Sequence, residues 1–243
     1  MIHWLAQSAD SYPTGPDGVV LDGVLHPREQ ARFATLKTEK RRQDWLLGRL
    51  TAKQLIREVQ REKMGEGVPL TALEVGNGER GEPIVNCELS IVNCQGTASN
   101  LQSLISLSIS HSHGHAFCAL VERPDWPLGA DIERIEARSE AFVADYFTEE
   151  ERGLETEAVG EMRDVWVTAV WSAKESVLKA LRLGLTVDTR WVTCLIEPVA
   201  ERPFTWTPFT VHCDNARLPQ AAPPLVGWWR TYEEFVLTLV VKP

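Results

Sequence analysis

Residues 164–184 read DVWVTAVWSAKESVLKALRLG, and the spacing within this stretch decides the architecture of the second half of the chain. Val167, Val170, Trp171, Leu178 and Leu181 fall on one helical stripe, and Gly184 stands where a left-handed C-cap is wanted. Lys174 lies four residues after Val170 and four before Leu178, on the apolar stripe itself. A lysine there needs a buried anionic partner, which a phosphate or a carboxylate would supply. Glu175 and Lys179, four apart, are neighbours on one face of the same helix.

Working outward, Leu128 to Glu133 reads as a strand behind the turn-forming ProAspTrpPro at 124–127, and a helix follows from about Ser139 to Tyr146. Leu104 to Ser110 and Ala116 to Val121 read as a hairpin, with His113 and Gly114 in its turn. Upstream, residues 27–63 form one long helix on their pattern: Pro27 opens it, and Gly48, Ala52, Leu55, Ile56 and Val59 share a face. Its end is expected near Met64 and Gly65. Residues 65–103, rich in Gly, Asn, Ser and Thr, read as loops with short strands. From Leu185 the chain reads as strands separated by proline loops, the last of them the apolar, β-branched run Phe235 to Val241. A boundary near 124 divides the chain into 1–124 and 125–243, each with a long helix and strands. The expected fold class is α/β (α+β), two similar subdomains related by a pseudo-twofold axis, with about six strands and several helices. No GxGxxG is present, so a Rossmann sheet is not expected.

The 243 residues are 44% hydrophobic, 24% charged and 8% aromatic, which sets disordered, collagenous and membrane classes aside. No run approaches the ~20 apolar residues of a membrane helix, and Met1 to Asp10 lacks the basic flank and apolar core of a signal peptide, so a cytoplasmic protein is expected. Five cysteines (Cys87, Cys94, Cys118, Cys194 and Cys213) are scattered without a CxxC and read as reduced core residues. A net charge of −9 argues against nucleic acid as a partner, yet the charge comes in blocks. Arg28 to Lys63 holds eleven basic and five acidic residues, whereas Asp131 to Asp164 holds twelve acidic and four basic ones.

Alternate residues of a strand share a face, so Asp131 and Glu133 present two carboxylates about 7 Å apart along the chain. Hard oxygen donors suit magnesium, which keeps several waters and completes its shell with substrate phosphates. With Glu175 added, three carboxylates form a cage, and Lys174 and Lys179 stand ready for an anion beside it: a site for breaking a pyrophosphate bond. The run SerIleSerHisSerHisGlyHis at 108–115 offers hydroxyls and imidazoles at a strand end. Its histidines, His111, His113 and His115, also admit a zinc reading, but an HxHxDH pattern fails because Ala116 follows His115.

With these residues in hand, the chain resembles the Sfp-type 4′-phosphopantetheinyl transferases. GlyAlaAspIleGlu at 129–133 matches the family's GxD with a second acid two residues on, and TrpSerAlaLysGluSerValLeuLys at 171–179 matches its (W/F)SxKExxxK helix. SerIleSerHisSer at 108–112 is similar to the SHS segment, and TrpLeuLeuGlyArgLeuThrAlaLys at 45–53 to the N-terminal helix. The resemblance implies a magnesium enzyme that moves the 4′-phosphopantetheine arm of coenzyme A to a serine of an apo acyl or peptidyl carrier protein, releasing 3′,5′-adenosine bisphosphate. By the same resemblance Asp131, Glu133 and Glu175 bind Mg2+, and Glu175 is the candidate base. Lys174 and Lys179 hold the pyrophosphate, with Lys179 acting on the leaving phosphate, and Ser110 and His111 contact coenzyme A phosphates. Arg49 and Lys53, with Arg41 and Arg42 also available, are assigned to the 3′-phosphate. A monomer is expected, with the coenzyme between the two halves.

The pattern has one departure. Gly81 and Pro83 match the family's GKP run, but Glu82 replaces its lysine and removes an expected phosphate contact. That substitution leaves a rival reading open, a non-catalytic coenzyme A or carrier-binding module on the same fold. Because carrier proteins are acidic, as this chain is, attraction has to come from a local patch or apolar contact. The acidic stretch Thr148 to Asp164 is expected to be a mobile segment between strand and helix.

Overall fold

The computed structural model describes residues 1–11, 23–87, 91–92, 98–99, 104–158 and 160–243. Cys94 and parts of the loop region expected at 65–103 lie outside these residues. The chain divides into two compact units, Met1–Trp126 and Pro127–Pro243.

The first unit runs β1 (Ile2–Ser8), α1 (Pro27–Ala34), α2 (Glu39–Met64), β2 (Leu73–Asn77), β3 (Pro83–Cys87), β4 (Ile91–Val92), β5 (Ala98–Ser99), β6 (Ser106–Ser112) and β7 (His115–Val121). The single helix expected over 27–63 is therefore two. Thr38 takes an extended conformation and its hydroxyl accepts from the Arg41 N–H, starting α2 afresh. Leu36, buried in the break, keeps its carbonyl satisfied by Arg42 Nε at 2.8 Å. Gly65, at φ 78°, ends α2 as expected. The antiparallel sheet has the order β1-β7-β6, and α2 lies against it, chiefly on β7. Ala52, Leu55, Ile56 and Val59 of α2 close on Leu73, Val75, Cys118 and Leu120. The β6–β7 turn carries His113 and Gly114 at φ 46° and 74°, a pair of left-handed residues that suits the twist of a two-residue hairpin.

The second unit runs β8 (Leu128–Arg134), α3 (Glu140–Tyr146), α4 (Glu149–Glu155), α5 (Glu161–Ala180), β9 (Val192–Leu195), β10 (Thr207–Cys213), β11 (Val226–Tyr232) and β12 (Phe235–Val241). Its antiparallel sheet has the order β8-β12-β11-β10-β9, with α5 laid on β8 and β12. Every residue of β12 is buried, which explains its unbroken apolar run. Val165, Trp166, Val170, Val177 and Leu178 of α5 carry the core, each such burial being worth about 1.5–3 kcal/mol or more. Trp166 Nε1 donates to the Ile196 carbonyl at 2.8 Å, so its polar edge is satisfied inside that core. The helix stops before Gly184. Arg182 takes the left-handed position at φ 55°, and the N–H groups of Arg182 and Leu183 donate to the carbonyls of Lys179 and Leu178, a Schellman closure made without glycine. The acidic stretch expected to be mobile is largely helical, as α4 and the start of α5.

The mixed α/β architecture is thus present in each unit, with twelve strands among the described residues rather than about six. The connectivity repeats: β1-β7-β6 with β2-β3 in the first unit, and β8-β12-β11 with β10-β9 in the second. Among the described residues no helix is long and apolar enough to cross a membrane. Cys194 and Cys213 are free thiols.

Candidate functional site

On β8, the period of two puts Gly129, Asp131 and Glu133 on one face. Gly129 explains why that face meets α5 so closely. A Cβ built there would lie 1.8 Å from the Ser176 carbonyl oxygen and 3.0 Å from the Ala180 nitrogen, so only glycine lets helix and strand come together at this point. From α5, Ser172, Glu175, Ser176 and Lys179 fall at the i, i+3, i+4, i+7 spacing of one face. Ser172 Oγ donates to Asp131 Oδ2 at 2.7 Å, and Lys179 Nζ donates to Asp131 Oδ1 at 2.7 Å and to the Ala130 carbonyl at 3.2 Å. Thr238, paired with Asp131 across β12, bonds through its hydroxyl to Ser172 at 2.9 Å and Ser176 at 2.7 Å. Asp131 is only 1% exposed, and this hydroxyl and ammonium network is what holds it there.

Asp131, Glu133 and Glu175 each place an oxygen so that all lie within 4.8 Å of one another, the only such potential metal-holding group of His, Cys, Asp or Glu among the described residues. Burial and crowding together raise the proton affinity of Glu133 and Glu175. Burial, then the Asp131 charge, then the Glu175 charge push Glu133 up to about 7, against Arg138 and Lys179. Burial followed by the Asp131 charge likewise pushes Glu175 up to about 7, against Lys179 and Arg138. Three hard oxygen donors gathered within 4.8 Å of one another, two of them half-buried and so open to solvent, fit a hydrated divalent ion such as Mg2+.

One residue near the trio has no sequence motif. Arg138 Nη2 stands 3.9 Å from Glu133 Oε2 and 2.9 Å from Glu136 Oε1, with its guanidinium carbon 5.1 Å from the centre of the Phe142 ring. Phe142 in turn packs edge-on against Trp171 of α5 at 5.1 Å, and Tyr146 does the same at 5.2 Å.

The structure turns two expected anion-binding lysines inward. Lys174 is 0% exposed. Its ammonium pairs with Glu151 Oε2 at 2.9 Å and donates to the carbonyls of Thr189 and Val192. The anticipated buried partner is therefore a carboxylate of α4 rather than a phosphate. Lys53, also 0% exposed, pairs with Glu29 and donates to the Val24 carbonyl at 2.8 Å. Neither lysine is placed to hold a coenzyme phosphate. The two clamps are built alike: Glu29 and Glu151 each close a capping box on the short helix before the long one, through the N–H of His26 and of Thr148. Each also accepts a strand N–H, from Val75 at 2.8 Å and from Cys194 at 2.7 Å. The residue after Lys174 is Glu175, whereas the residue after Lys53 is Gln54, so the first unit has the clamp without the carboxylate. Thr148-x-x-Glu151 is the sequence signal for the capping box of α4, though not for the lysine that Glu151 meets.

Among the other expected residues, Arg49 stacks on Trp45 at 4.6 Å and donates to Asn77 Oδ1 at 2.6 Å. Ser110 is buried and His111 exposed, neighbours on β6 that face opposite sides of the sheet. Glu82, in place of the family lysine, folds back onto the Arg80 N–H at 3.0 Å. His111, His113 and His115 do not form a potential metal-holding group.

Residues 127–222 match the model of the 4′-phosphopantetheinyl transferase superfamily. No curated protein matches the chain. Solved structures similar to it include a holo-(acyl-carrier-protein) synthase from Bacillus anthracis str. Ames in complex with CoA (3′,5′-ADP), at 22% identity and a TM-score of 0.38, covering 51% of this chain and 95% of that one. The Thermotoga maritima holo-[acyl-carrier-protein] synthase is 16% identical at a TM-score of 0.38, over 60% of this chain and 74% of that one. An ACPS-CoA complex from Chronobacterium ammoniagenes is 19% identical at a TM-score of 0.36, over 50% and 96%. The resemblance read from the sequence holds at the level of the superfamily, on the stretch that contains Asp131, Glu133, Glu175 and Lys179.

Proposed function

We propose that this protein is a magnesium-dependent holo-[acyl-carrier-protein] synthase, a transferase that moves the 4′-phosphopantetheine arm of coenzyme A to a serine of an apo acyl or peptidyl carrier protein. The observation that carries the reading is the Asp131, Glu133 and Glu175 trio with Lys179 on its edge, inside the stretch that matches the superfamily. In the reaction the serine Oγ forms a bond to the phosphorus bearing pantetheine, the P–O–P linkage to the other phosphorus breaks, and 3′,5′-adenosine bisphosphate leaves. Asp131, Glu133 and Glu175 would hold Mg2+, whose positive charge, when bound, offsets the charge that develops on the phosphate oxygens.

The chain's own residues supply the rest. Glu175, half-buried at the trio, is the candidate base that takes the serine proton directly or through water. Lys179, 28% exposed, keeps an ammonium at the site to neutralise or protonate the departing phosphate. Ser172 and Thr238 fix the Asp131 carboxylate so that it meets its ligand without reorganising. Arg49, Ser110 and His111 of the first unit are the candidates for the coenzyme's phosphates. The protein acts in this reading as a cytoplasmic monomer.

The test is intact-mass measurement of an apo carrier protein incubated with this protein, coenzyme A and Mg2+, with a chelator and Asp131→Ala as controls. A mass gain of one phosphopantetheine arm, absent in both controls, is expected. No gain with several unrelated carriers, despite measurable coenzyme A binding, would replace the transferase by a binding module.

A further inference from the structure

With Lys174 sealed inside its clamp, the second unit is left with few cations to meet an anion at the trio. Lys179 has already committed two of its three N–H donors, to Asp131 and to the Ala130 carbonyl. Arg138 stands by Glu133, a different carboxylate of the trio, and its donors are mostly unspent. Nη2 reaches Glu136 at 2.9 Å, but Nε is buried and has no hydrogen-bond partner among the described residues.

The pairing with Glu136 does not account for this placement. Glu136 is 43% exposed, and such surface pairs contribute little, about 0–1 kcal/mol. Nor is Arg138 simply a counter-ion to Glu133, because 3.9 Å is beyond hydrogen-bond distance and leaves the Glu133 oxygens open to another ligand. The plane of the guanidinium is held instead by the Phe142 ring, which is itself wedged against Trp171 one turn before Glu175. A pre-oriented guanidinium with free donors, beside carboxylates that fit a divalent ion, has the geometry for a phosphate oxygen.

We propose that Arg138 is a substrate-binding residue of the carboxylate site, holding a pyrophosphate oxygen of coenzyme A on the Glu133 side of the trio while Lys179 serves the Asp131 side. This rests on the transferase reading. It adds a residue that neither the motif at 129–133 nor that at 171–179 contains.

Binding separates the inference from that reading, with no carrier protein present. Coenzyme A is titrated by calorimetry in Mg2+ onto the wild type, Arg138→Ala, Arg138→Lys and, as a charge control, Arg217→Ala. Mn2+ affinity of each is measured by the paramagnetic signal of the free ion. Arg138→Ala is expected to weaken coenzyme A at least tenfold and Arg138→Lys by less, with Arg217→Ala unchanged and Mn2+ affinity in all within twofold of wild type or tighter. Coenzyme A binding by Arg138→Ala within twofold of wild type overturns the proposal. So does a parallel loss of Mn2+, which would make Arg138 a prop for Glu133. Should Arg138→Ala melt far below the wild type, Arg138→Gln, planar enough to stack on Phe142 but uncharged, takes its place. A wild type that binds no coenzyme A sinks the transferase reading itself, and the role of Arg138 with it.

Discussion

Lys174 Nζ lies 2.9 Å from Glu151 Oε2 with both side chains at 0% exposure, and the pair joins α4 to α5 while the same ammonium reaches the carbonyls of Thr189, just ahead of β9, and of Val192, its first residue. Lys53 and Glu29 repeat the arrangement in the first unit, where no carboxylate follows the lysine. A device present both with and without the trio belongs to the architecture of each unit and not to the chemistry.

Removing one partner should therefore cost far more than removing both. Lys174→Met leaves Glu151 buried and uncompensated, at a cost of about 3–5 kcal/mol, whereas adding Glu151→Gln removes the unpaired charge and keeps an oxygen for a backbone N–H. Thermal or urea unfolding of the two single variants and the double variant checks this. The double variant should be more stable than Lys174→Met, with a coupling on the order of 1–3 kcal/mol. Additive losses would mean that the two charges do not depend on one another.

At the trio, Asp131→Asn keeps an acceptor for Ser172 but removes the charge, and Glu133→Gln does the same at its own position. Each should leave the fold intact and lower Mn2+ affinity by at least about 100-fold, more than the 10–100-fold typical of losing a supporting residue around a metal. The paramagnetic signal of free Mn2+ reads this directly. Retained binding in both variants would place the ion elsewhere.

Glu133 and Glu175 each titrate near 7 without a metal, well above the ordinary 4.5, because burial and then the neighbouring carboxylate charge disfavour ionisation. A folded-state value raised above the unfolded one means that the folded chain holds more protons between about 4.5 and 7. Their contribution to stability is therefore full below about 4.5 and is lost as pH rises through about 7. In chelator, Tm should fall over that window by about 2–4 °C for each kcal/mol lost, and saturating Mg2+ should flatten the fall. A metal-free Tm that rises from pH 5 to 7.5 with no response to Mg2+ would contradict the geometry of the trio.

What the sequence made legible was local. Asp131 and Glu133 share a face because strand periodicity is set by the backbone, and His113-Gly114 makes its turn because two left-handed residues are needed there. The gathering of Glu175 with the β8 carboxylates followed from motif resemblance and the helix face, and the structure brings the three together. The partners of Lys53 and Lys174 were not legible, since Glu29 and Glu151 lie more than twenty residues upstream and only packing reveals which carboxylate arrives. Arg182, not Gly184, is the left-handed closing residue of α5, a choice that residue propensity alone does not predict. Arg138 escaped notice for a related reason: its orientation comes from Phe142, and no spacing rule links an arginine to a ring on the next helix.

Gly129 offers the most direct test of how the site is assembled. Its own side of β8 is the side that meets α5, and a methyl group there would overlap the Ser176 carbonyl oxygen at 1.8 Å and its carbon at 2.7 Å. Both atoms are backbone within a buried helix, so no rotamer change relieves the clash, and α5 has to move away from β8. Ser176 and Glu175 are adjacent, so that movement carries Glu175 away from Asp131 and Glu133. Gly129→Ala should thus cost about 1–3 kcal/mol as overpacking, and also weaken Mn2+ binding although no ligand has been touched. Gly153→Ala, inside α4 where an added methyl meets nothing within 4 Å, is the control: it should stabilise slightly, by about 0.4–1 kcal/mol, and leave Mn2+ affinity unchanged. Loss of stability in Gly129→Ala with wild-type Mn2+ affinity would show that the trio forms independently of how closely α5 rests on β8.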